Sequence, residues 1–195
     1  WLADSPWAMA HGDPYQSEPR FMSTSQPVAQ STSERRAAEA ALRALVGKFA
    51  PEGLRLVAAV RRSLRKRLSA AHEVVYEYRD CVVISFSPRG HGYEGVLAIR
   101  ASAEGVKLYF NQGKSLPDPE KLLRGSAQTR WILLEAASTL TRPGVASLLD
   151  EAIAHNRVPF AETGRGSVVI RVTTAAKRAR SRPAARKAQS KRQSG

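Results

Sequence analysis

Hydrophobic positions along the chain change their period repeatedly, and the changes mark the elements. Over residues 33–51 apolar side chains recur at helical spacing, with Ala40, Leu42, Leu45, Val46 and Phe49 forming one stripe. Ser33 is placed to cap this helix, and Pro51 closes it. A second helix is predicted over residues 51–69, because proline is tolerated in a first turn. Its apolar face is Leu54, Val57, Val60, Leu64 and Leu68. Arg55, Arg62 and Lys66 lie opposite, flanked by Arg61, Arg65 and Arg67.

Beyond this point the period shortens to two. Residues 73–78 and Cys81–Ser87 read as strands around a turn at Arg79 and Asp80. Three more strands are predicted at 96–101, 106–110 and 131–135, a helix at 142–156, and a last strand at 167–173. Between the fourth and fifth strands, Asp118 has the features of an N-cap, with Pro119 at N1, Glu120 in the first turn and Gly125 at C′. A short helix is expected there. Short strands joined by hairpin-length turns predict an α+β fold: a two-layer sandwich of an antiparallel sheet with helices packed on one face.

The ends have a different character. Residues 1–32 are rich in Ser, Pro, Gln and Ala without a sustained period, so disorder is expected there. The chain starts with Trp1, and Met22 opens a plausible start, so residues 1–21 are read as upstream or non-native sequence. The domain is assigned to 33–174 and a disordered basic tail to 175–195. That tail holds eight of the 31 bases and none of the 17 acids, within a chain whose net charge is +14.

Charge therefore carries the strongest functional signal. Lys177, Arg178, Arg180, Arg182, Arg186, Lys187, Lys191 and Arg192 cannot build a core, and their setting suits an arm that neutralises nucleic-acid phosphates. Eight such contacts on a duplex would give log K a slope of roughly −7 against log salt. Arg62 and Lys66 on the second helix would enlarge the footprint. The sequence has no recognition-helix motif and no aromatic set interleaved with the cations, so binding would be independent of base sequence. A solvated, solubilising tail is the competing reading.

Other motifs weaken under inspection. Gly90, Gly92 and Gly95 match G-x-G-x-x-G, but a strand follows where a dinucleotide site needs a helix, so a hairpin loop using positive φ is expected. Lys114, Arg124, Ser126 and Arg130 gather near one sheet edge as a candidate anion site. Glu151 and His155 are four apart on the last helix, half a metal site at most. His72 and His91 are placed in loops. Cys81 reads as a buried small hydrophobe, and one cysteine allows no disulfide within a monomer, which suits a reducing cytoplasm. No stretch approaches the roughly 18 apolar residues that cross a bilayer, so no membrane partner is expected. Neither catalysis nor a cofactor is indicated.

One run of motifs resembles a known family. Gly113-x-x-Leu116-Pro117-Asp118-Pro119, then Leu122-Leu123-x-Gly125-Ser126, then Arg130-x-Ile132-x-Leu134, resembles the YdhG-like family of bacterial domains. Val169-Ile170-Arg171 is similar to the family's closing strand, and Ala127 stands where a second glycine is expected. The resemblance spans about residues 35–174. It implies an α+β domain of frataxin-like appearance, and one branch of the family is described as an intracellular iron chaperone. Iron prefers clustered carboxylates, whereas the second helix offers Glu52 and then six bases. The leading expectation is thus a cytoplasmic, nucleoid-associated, non-enzymatic binder of nucleic acid or another polyanion. Iron delivery and anion or small-molecule binding are the alternatives.

Overall fold

The computed structural model describes residues 30–172. Helix α1 runs Thr32–Phe49 and opens on a capping box. Glu34 N–H donates to Ser31 Oγ at 3.2 Å, and Ser31 N–H donates back to Glu34 Oε2 at 2.8 Å. The cap is thus Ser31 rather than Ser33, because the reciprocal pair needs the glutamate three residues on. Ala50, at φ −149° and ψ 66° before Pro51, leaves helical geometry and terminates the helix. A 3-10 turn at Pro51–Gly53 leads into α2, Leu54–Arg67, whose last turn carries Arg65, Lys66 and Arg67 at the negative end of the helix dipole.

Six strands follow the alternation closely: β1 His72–Glu77, β2 Cys81–Ser87, β3 Leu97–Ser102, β4 Gly105–Phe110, β5 Arg130–Leu134 and β6 Val168–Val172. Helix α3, Pro143–Ala154, lies between the last two, with proline in its first turn. The sheet order is β5-β4-β3-β2-β1-β6. The first five strands form an antiparallel meander. The β6 strand departs from the expected antiparallel pattern and pairs parallel to β1, Glu73 opposite Val168. The chain has to cross the sheet from the β5 edge to reach β1, and α3 makes that crossover.

All three helices pack on one face of this α+β sandwich. Leu42, Val46, Val60, Leu64, Leu148 and Leu149 meet Val75, Ile84, Phe86, Ile99, Leu108 and Phe110 in one cluster. Each such large apolar side chain contributes about 1.5–3 kcal/mol by leaving water. The opposite face carries a smaller cluster of Cys81, Val83, Ala98 and Tyr109, rimmed by Tyr76, Tyr78 and Trp131. Alternation within each strand deals its residues to one face or the other.

The expected helix at Asp118 does not form. Its carboxylate instead accepts Leu122 N–H at 2.9 Å and Leu123 N–H at 2.8 Å, closing an irregular loop. Glu120 does serve a helix N-terminus, but that of α3, where its carboxylate lies against Gly144. Gly125 keeps positive φ, +99°, without a helix before it. No helix among the described residues is long and apolar enough to cross a membrane.

Candidate polyanion-binding surface

Arg55 is exposed at the start of α2, and the other five bases divide according to what their side chains can reach. Arg61 and Arg65 share a turn of the face that leans toward α1 and β1. Arg61 Nε donates to Glu73 Oε2 at 2.7 Å, and its two terminal nitrogens reach the Glu39 carboxylate at 2.9 and 3.2 Å. Arg65 donates to Glu39 at 2.5 Å and also to Glu73. Two guanidiniums and two carboxylates thus form a closed, neutral quartet that ties α1, α2 and β1 together. Glu73 is only 2% exposed. Its burial is tolerable because both oxygens are paired.

The quartet shifts its members in the directions this geometry requires. Burial alone would raise Glu39, but hydrogen bonds and charge from Arg61 and Arg65 outweigh it and hold the carboxyl at about 2. Burial works to lower Arg65, and the facing Glu73 and Glu39 more than offset it, so its pKa rises. Further out, Arg67 is spent on Asp150 of α3.

Arg62 and Lys66 lie on the outer side of the same turns, exposed, with no carboxylate within ion-pair distance among the described residues. Together with Arg61, Arg65 and Ala58 they line a cavity of about 330 Å³. A second, larger cavity of about 500 Å³ adjoins it between α1 and α2, where Leu42, Val46, Leu54 and Val57 are among the lining residues. The two share Ala58 and Arg61.

The loop residues proposed as an anion site are mostly occupied in holding the loop. Arg130 Nε donates to Ala127 O at 3.0 Å, and its side chain packs against Gly113. Arg124 exchanges backbone bonds with Trp131 and places its guanidinium 5.7 Å from the indole ring. Lys114 N–H donates to Gln128 O at 3.0 Å. Ser126 and the Lys114 side chain are exposed. The eight tail cations from Lys177 to Arg192 lie outside the described residues.

Three features escaped the linear reading. Folding gathers Tyr76, Tyr78, Tyr109 and Trp131 on the second face of the sheet, with Lys107 Nζ 4.7 Å over the Trp131 ring. One cation thus stands over this aromatic face, and the period-two alternation of β1 and β4 was the signal for the face. His72 opens β1 rather than lying in a loop, and its Nδ1 sits 2.8 Å from Ser167 Oγ and 3.2 Å from Ser167 N–H. A backbone N–H can only donate, so Nδ1 is unprotonated, consistent with burial and nearby His91 lowering the His72 pKa. The glycines of the 90–95 loop act mainly through close approach. Gly92 lies on the Tyr76 hydroxyl and Gly95 on Ser85 Oγ, while Gly90 alone has positive φ.

Cys81 is buried on the second face, and burial pushes its thiol up. Glu151 and His155 contact each other at 3.0 Å on the surface. Among the described residues, no three His, Cys, Asp or Glu side chains gather closely enough to hold a metal ion. Comparison with protein-family models, curated proteins and solved structures finds no match for this chain.

Proposed function

We propose that this chain is a non-enzymatic, cytoplasmic binding protein with a YdhG-like domain, which holds nucleic acid or a similar polyanion through its basic surface. The observation that carries the reading is the division on α2. Arg61 and Arg65 are neutralised internally, whereas Arg62 and Lys66 present charge that no described carboxylate answers. The tail, with eight cations and no acid, adds a second contact of the same sign. A phosphate backbone is the natural counterpart, because releasing its condensed counterions drives association without base contacts. Association with the nucleoid follows from that chemistry. No specific observation favours the iron-delivery reading, whose carboxylate set the described residues do not assemble.

Fluorescence anisotropy on a labelled duplex across a salt series tests this. The full chain is compared with one ending at Thr174 and with Arg62→Ala/Lys66→Ala in each length. Truncation should remove a slope of roughly −7, and the α2 pair a further −2 or about that. Binding that survives the loss of both sets of cations unchanged would overturn the proposal.

A further inference from the structure

Open cations are not confined to α2. On α1, Arg36 and Arg43 are exposed, and neither has an ion pair among the described residues. Two helical turns separate them, so they share one side of α1, with Ala40 between them. Ala40 and Arg43 line the larger cavity, and Ala58 of α2 lines it from across the seam. Along α2, Arg55, Ala58, Arg62 and Lys66 follow at spacings of three and four, which puts them on one side as well. Arg55 is exposed and unpaired like the others. Open cations from both helices thus border a seam whose centre is exposed alanine.

The neighbouring carboxylates leave most of this charge standing. Glu39 lines the cavity, but Arg61 and Arg65 hold it. Glu34 caps α1 through Ser31, and at about 100° per residue it lies on the far side of the helix from Arg36. Glu52, in the turn before α2, is exposed at one end of the seam.

The rest of the surface selects the partner. Protein interfaces and membrane-surface helices both anchor through large apolar or aromatic side chains. Those exposed among the described residues, Tyr93, Leu133 and Val169, lie in the 92–94 turn, β5 and β6 instead. Single strands are held by stacking on aromatics. The one aromatic on either helix, Phe49, packs on the core beneath Lys48. Duplex RNA is read partly through its 2′-hydroxyls, by polar side chains. The seam instead presents guanidinium, ammonium and methyl groups, which suit phosphates on a DNA duplex.

We propose that the outer side of the α1–α2 hairpin docks duplex DNA, with Arg36 and Arg43 of α1 binding phosphates beside Arg55, Arg62 and Lys66 of α2. The inference rests on the polyanion reading and deepens it, naming the partner and adding a second helix to the contact. Ala40 and Ala58, being small, let the backbone come close enough for both rows to reach it.

Fluorescence anisotropy of the full chain on a labelled DNA duplex, across a salt series, tests this. Arg36→Ala/Arg43→Ala should lower the magnitude of the log K against log salt slope by about 2, and Arg55→Ala by about 1 more. Arg36→Lys/Arg43→Lys should keep the parent slope, because phosphate contacts need charge rather than a fork. Ala58→Glu, at an exposed position between the rows, should weaken binding too. Arg79→Ala/Lys114→Ala removes two exposed cations outside both helices and should leave the slope unchanged. An unchanged slope in Arg36→Ala/Arg43→Ala, or an equal drop in the Arg79/Lys114 control, would overturn the inference. So would tighter binding of a single strand, an RNA duplex, a polyglutamate peptide or anionic vesicles than of the DNA duplex. If Arg62→Ala/Lys66→Ala alone lowers the slope, the polyanion reading stands on α2 without α1. Failure of every form of the chain to bind duplex would remove both.

Discussion

Arg61 and Arg62 are adjacent in sequence, yet about 100° of helix rotation separates their fates. The inner row, Arg61 and Arg65, is buried in a quartet with Glu39 and Glu73 and serves the fold. The outer row, Arg62 and Lys66, touches no described carboxylate and faces solvent. A count of bases treats the two rows as equivalent. Their surroundings make the first a structural device and the second a surface field. Formal charge becomes available to a partner only where the fold has not already used it.

Breaking the inner row should have the largest effect. Arg61→Met leaves Glu73 and Glu39 sharing the single Arg65 guanidinium, with Glu73 Oε2 buried and unpaired, and should cost about 3–5 kcal/mol in urea unfolding. Adding Glu73→Leu should recover most of that loss, since the remaining Arg65 and Glu39 still pair and the buried charge is gone. Failure of the second change to rescue the first would mean that the quartet does not act as one structural unit.

Acid should erode the same row more gently. Glu39 is held below its ordinary 4.5, at about 2, so its contribution is complete above pH 4.5 and is lost as pH falls toward 2. With solvent screening of a partly exposed group, about 1–2 kcal/mol is at stake. Urea midpoints between pH 5 and 2.5 should fall more steeply for the parent than for Glu39→Gln. Parallel curves would contradict the assignment.

Loosening the helix that carries Glu39 comes next. Ser31→Ala removes one half of the capping box on α1 and should cost about 1 kcal/mol by thermal unfolding. The smallest stability change belongs to the outer row. Arg62→Ala/Lys66→Ala should leave stability within about 0.5 kcal/mol of the parent, although the salt slope for duplex drops by about 2. A large loss of stability in this variant would show that the outer cations are structural too.

Most of the sheet was legible because alternation is local. The predicted strands agree with β1 to β6 to within a residue or so at each end, since each half-buried strand writes its own pattern. Asp118 shows where local reasoning stops. Its setting is ideal for an N-cap, but Leu122 and Leu123 pack against the core from a non-helical segment, and tertiary packing overrides local propensity there. The carboxylate bonds to Leu122 and Leu123 in an irregular loop instead.

The pairing of charges was not legible at all. Glu39, Arg61 and Glu73 lie on three different elements, and only the docking of α1 and α2 onto β1 brings them within reach. The same is true of His72 and Ser167, joined because β6 returns parallel to β1 after the α3 crossover. Periodicity in the chain was enough to specify elements, their buried faces and an α+β architecture, because each depends on neighbours a few residues away. Which cations stay open to a partner, and which grooves lie beside them, depended on contacts tens of residues apart. Distance in sequence carries no record of those contacts, so packing alone decided them.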